Sequence, residues 1–84
     1  MTAPARPAAH IFIVFRRRDG VPVARGCTLR QALSRVVLSP KREIIALEFP
    51  NAERAEAIWE FRQPLNGAIV FCDRIAFDGA EYVP

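Results

Sequence analysis

The sequence is poor in the residues around which enzymes and metal proteins are built. Its 84 residues contain one histidine, His10, and two cysteines, Cys27 and Cys72. The cysteines form no Cys-x-x-Cys pair and have no histidine beside them, so neither zinc spacing nor a dithiol redox motif is present. In a reducing compartment both are expected as free, buried thiols. There is no Gly-x-Gly-x-x-Gly and no phosphate-binding loop. His10 stands at a strand start with no nucleophile placed near it, which reads as a solvated edge histidine. These shortages leave no catalytic residue, no metal ligand and no cofactor to assign, and the chain is expected not to be an enzyme. Long apolar runs are missing too: none approaches the roughly 18 residues that a membrane span needs. Residues 1–9 are rich in Ala and Pro, without the apolar centre of a signal peptide. They read as a disordered tail before a single domain over 10–84, in a cytoplasmic protein with no membrane partner.

Acidic residues are scarce in one half only. Residues 1–42 hold nine Arg and Lys against Asp19 alone, a balance of +8. Residues 43–84 hold three Arg against eight acids, a balance of −5, and the halves recover the formal net charge of +3. Such polarity suits an anionic partner, a head-to-tail self-contact, or charges that pair once the halves fold together.

What is present reads as a small α+β domain. His10–Arg17 is a strand without alternation in Ile11–Phe15, so both of its faces should be covered. Arg18-Asp19-Gly20-Val21 signals a hairpin. Pro22 confines the return arm, 21–25, to a sheet edge or a loop. Thr28 and Gln31 form a capping box for a first helix. Leu29, Ala32, Leu33 and Val36 give that helix one apolar stripe, and Pro40 stops it near Leu38. The second long strand runs over 42–49, with Ile45, Leu47 and Phe49 on one face and Ile44, Ala46 and Glu48 on the other. Asn51 caps a second helix, whose core side is Ala55, Ile58 and the single Trp59. Pro64 ends it. A third strand over 68–72 continues through Ile75–Phe77, and Asp78-Gly79 turns into a last arm at 81–83. The expected architecture is a two-layer sandwich in the order β(β)αβαβ(β): a mixed sheet of four to five strands with both helices on one face. The other face would then be left bare, which motivates a homodimer.

The run Glu48-Phe49-Pro50, followed by Ala55 and Ala57-Ile58-Trp59, resembles the strand-to-helix corner of the dimeric, ferredoxin-like α+β barrel proteins. Those proteins carry a further strand before the second helix, which this sequence lacks, and no function is carried across. Two surfaces stand out as candidate sites. One is a basic hairpin surface of Arg16, Arg17, Arg18 and Arg25, extended by Arg30 and Arg35 on the first helix. The other is an acidic stripe of Glu53, Glu56 and Glu60 on the second. The function they suggest is a non-enzymatic protein-interaction module: an adaptor, an assembly subunit or a small inhibitor of the phage or mobile-element type. The alternative is sequence-nonspecific nucleic-acid binding through the arginines.

Overall fold

The computed structural model describes residues 10–81. The expected tail, 1–9, and the end of the expected last arm, 82–83, lie outside the described residues. The chain runs through β1 (Ile11–Arg16), β2 (Pro22–Gly26), α1 (Leu29–Ser34), β3 (Ile44–Phe49), α2 (Ala52–Glu60), α3 (Leu65–Ala68) and β4 (Arg74–Asp78). Short 3₁₀ turns lie at Lys41–Glu43, Ile69–Phe71 and Gly79–Glu81. The four strands form one sheet in the order β2-β1-β3-β4. The α+β class, the four strands and the two main helices are as the sequence indicates.

The sheet differs from expectation in its directions. Every pairing among the described residues is antiparallel, rather than mixed. The hairpin explains the first half of this. β2 reverses against β1, and β3 then pairs on the other side of β1, so β2 and β3 run parallel with β1 between them. The segment 65–71 explains the second half. A strand was expected over 68–72, but 65–71 forms α3 and a 3₁₀ turn. Pro64 starts α3, with Ala68 N–H donating to its carbonyl at 2.9 Å. Leu65 N–H is pinned to Gly20 O at 2.9 Å. An apolar run of this length does not distinguish helix from strand, and here tertiary contact decides. The helical segment carries the chain back along the sheet, and β4 enters antiparallel to β3. No fifth strand is seen among the described residues, because Gly79–Glu81 packs as a 3₁₀ turn.

The two helices lie on opposite faces, not on one. Ile13, Phe15, Ile45, Leu47 and Phe49 pack with Ala55 and Ile58 of α2 and Ala68 of α3. Phe12, Val14, Ala24, Ile44 and Ala46 pack with Ala32, Leu29 and Leu33 of α1. The two-layer sandwich is therefore three layers, helix on sheet on helix. The bare face that motivated a homodimer carries a helix. The cause is the alternation of β1 and β3, each apolar on both sides. The strand-to-helix corner at Pro50 and Asn51 is where the sequence places it, although in a different fold context.

Local signals set the helix ends. Thr28 Oγ1 accepts from Gln31 N–H at 3.0 Å, and Gln31 Oε1 accepts from Cys27 N–H at 2.7 Å. Asn51 Oδ1 accepts from Arg54 N–H at 2.9 Å. α1 stops at Ser34, short of the expected Leu38. Ser34 Oγ bonds back to Gln31 O at 2.8 Å, and the β-branched Val36 and Val37 follow. Gly26 seats α1 on β2: a Cβ there would stand 2.7 Å from the backbone N of Ala32. Gly26→Ala should therefore cost about 1–3 kcal/mol by overpacking. The check is a lowered urea midpoint at unchanged m-value. A wild-type midpoint would mean that α1 does not sit on β2 in this way. Ile58→Ala, which opens a hole in the opposite layer, should cost about 2–5 kcal/mol in the same assay.

Candidate functional site

The most buried charge among the described residues is Glu48, 7% exposed, on the α1 side of β3. A carboxylate at such a position needs partners to offset its lost hydration. It has two: Oε2 meets His10 Nδ1, and Oε1 accepts from Arg74 Nε at 2.5 Å. The carboxyl is held below the usual carboxylate range, first by the His10 hydrogen bond and further by Arg74, against the opposing effect of burial. Both carboxylate oxygens are thus occupied. His10 is exposed, as expected, but it is tied to the sheet rather than simply solvated. Among the described residues no group of three or more His, Cys, Asp or Glu is placed to hold a metal ion.

The six arginines of the basic hairpin surface do not form one patch. Arg16 grips Asp19 through Nε and Nη2, the latter at 2.6 Å, and holds its carboxyl down to about 2. Arg17 grips both oxygens of Asp78, at 2.7 and 2.8 Å, and lowers that carboxyl as well. Arg18 is exposed and acts on Asp19 through its field. Arg25 lies at the far end of β2, about 10 Å along the strand. It pairs with Glu56 and stacks on Trp59, its guanidinium 5.6 Å from the ring centroid. Arg35 Nη1 donates to Arg25 O at 3.0 Å, and the two arginines line a pocket of about 200 Å³ with Cys27 and Glu56. Arg30 stands apart, on a groove along α1. Arg62 completes the surroundings of Trp59, at 5.7 Å, and donates to Pro22 O at 3.0 Å.

The acidic stripe is divided likewise. Glu53, Glu56 and Glu60 are all exposed on α2, but Glu56 turns to Arg25. Cys27 is exposed, not buried as expected. Cys72 is half-buried, and desolvation pushes its thiol up.

Sequence reasoning missed the apolar surface. Val37, Leu38, Phe61, Ile69, Val70, Phe71 and Ile75 are all exposed large hydrophobics. Four of them, Ile69, Val70, Phe71 and Ile75, belong to one short stretch spanning the 3₁₀ turn after α3 and the start of β4. Arg54 lies over the Phe71 ring at 4.1 Å. A signal for this surface existed in the apolar Ala68–Cys72 run, although such a run does not distinguish helix from strand. The Glu48 cluster had a signal as well, in a single acid on an otherwise apolar strand face.

The sign of the Glu48 effect gives a pH prediction. A carboxyl depressed in the folded state contributes stability that is whole above its unfolded value, about 4.3, and is lost as pH falls through the folded value. Asp19 and Asp78 act in the same direction. Between about pH 5 and pH 3 the wild-type urea midpoint should therefore fall more steeply than that of Glu48→Gln. Parallel curves would show that Glu48 is not held in this way.

No helix among the described residues is long and apolar enough to cross a membrane. No protein-family model, curated protein or solved structure matches the chain.

Proposed function

We propose that this protein is a non-enzymatic interaction module that works by occupying the surface of another protein, as an adaptor, an assembly subunit or a small inhibitor. One observation carries the reading: the exposed apolar stretch from Ile69 to Ile75. Val70 is 74% exposed and Ile75 46% exposed. Apolar surface gathered in one place on a small domain marks a contact surface. The Glu48 cluster supports the same reading, because its carboxylate is tied by both oxygens to His10 and Arg74 in a structural cluster. The cytoplasm is the setting we assign, where thiols such as Cys27 and Cys72 stay reduced.

Nucleic-acid binding is the second reading. Arg18, Arg30 and Arg42 favour it, all of them exposed. It is weakened because Arg16 and Arg17 are already held by carboxylates. One pair of experiments separates the two. Affinity capture from host lysate should return a stoichiometric protein partner with the wild type and lose it with Val70→Ser/Ile75→Ser, both exposed positions. Polarisation against labelled duplex and single-stranded oligonucleotides should show no steeply salt-dependent binding. A salt slope equivalent to about three or more phosphate contacts, unaffected by the double substitution, would replace the first reading with the second.

A further inference from the structure

We infer that the groove along α1 receives the outer face of α2 from a second copy of this chain. The inference rests on the interaction-module reading and names a copy of the chain itself as a partner. The groove encloses about 450 Å³ and is lined by Leu29, Arg30, Leu33, Ser34 and Lys41. Beyond α1 the chain presents Val37, 71% exposed, and Leu38, 99% exposed. Leu38 has φ 69°, a left-handed conformation that an L-residue with a side chain seldom adopts. From Gly20 to Arg42 there is no acid, and there are five bases. Of these bases Arg30 and Lys41 line the groove beside Leu29 and Leu33, so it is apolar with a positive rim, and its complement is apolar and negative.

The outer face of α2 has that character. Glu53, Ala57, Glu60 and Phe61 are all exposed and follow one another at i, i+4, i+7 and i+8, a single strip of helix surface. Phe61, at the helix end, is 76% exposed. Arg54 is drawn aside over Phe71, and Glu56 is drawn aside to Arg25. Neither interrupts the strip. Phe61 supplies the apolar side chain for the floor of Leu29 and Leu33, and Glu53 and Glu60 face Arg30 and Lys41.

The fold fixes the geometry of the contact. α1 and α2 cover opposite faces of one sheet, so a chain cannot place its own α2 in its own groove. Because the two surfaces lie on opposite faces of the domain, two copies cannot make the contact twice at once, so it does not close a two-fold dimer. Each joint leaves a free groove at one end and a free α2 at the other, and association continues beyond two copies.

Sedimentation equilibrium of the full chain tests this, from micromolar to near-millimolar concentration at low ionic strength. The expected result is an average mass that rises past the dimer and falls as salt screens the rim charges. Val37→Ser/Leu38→Ser, at exposed positions, should raise the dissociation constant at least about tenfold. Arg30→Glu/Lys41→Glu and Glu53→Lys/Glu60→Lys should each be monomeric alone, with unchanged far-UV circular dichroism, and should associate when mixed. A wild type that stays monomeric throughout overturns the inference. So does a mixture no heavier than its components, or association untouched by the serine pair. If the wild type is monomeric yet still captures another protein through Val70 and Ile75, the inference falls and the module reading stands.

Discussion

The two central strands are apolar on both sides, and the rest of the chain answers that demand. β1 and β3 pair over six residues, and all six residues of β3 are buried. A sheet with two apolar faces needs two covers, and the chain supplies them from either side of β3. Both covers are short. α1 has six residues and spans about 9 Å, whereas a six-residue strand spans about 20 Å. Short helices over longer strands leave apolar margins. Leu38 lies at one margin and Val70 and Ile75 at another, so the surface assigned to partners is the remainder of the same packing problem that builds the core.

Charge follows the same layout. Among the described residues the arginine pairs Arg17 with Asp78 and Arg25 with Glu56, together with His10 on Glu48, join the basic first half to the acidic second. Each arginine pair is partly exposed, and such pairs contribute little stability one by one. They nevertheless determine which charges remain at the surface. Over α1 the exposed Arg30 and Lys41 remain, and on α2 the exposed Glu53 and Glu60 remain beside Arg54 and Arg62, which lie over the Phe71 and Trp59 rings.

What was legible in the sequence was what local chemistry decides. Thr28 with Gln31 and Asn51 cap helices whatever the fold around them, and Asp19-Gly20 turns a hairpin for reasons confined to the turn. The alternation in β3 correctly assigned Glu48 to the face of Ile44 and Ala46. What was hidden depended on partners distant in the chain. His10 and Arg74 reach Glu48 from 38 and 26 residues away. The apolar run at 68–72 has a strand's composition, but the chain from Leu65, whose N–H is bonded to Gly20 O, forms α3 and a 3₁₀ turn. The arginines 16, 17, 18 and 25 look like one group in a hairpin, but β2 is long enough to carry Arg25 to the other end.

The outer rim of β2 has a further consequence. Pro22 brings no N–H to that edge, and the carbonyls of Pro22 and Arg25 already accept from Arg62 and Arg35. An extended chain approaching from that side would have to displace two guanidinium groups before it could add a rung. Those groups come from the segments that end α2 and α1. The edge is therefore latched by side chains from the ends of the two helices. Approach to that side competes with two charged hydrogen bonds, and the helix ends that position Arg35 and Arg62 also guard the edge.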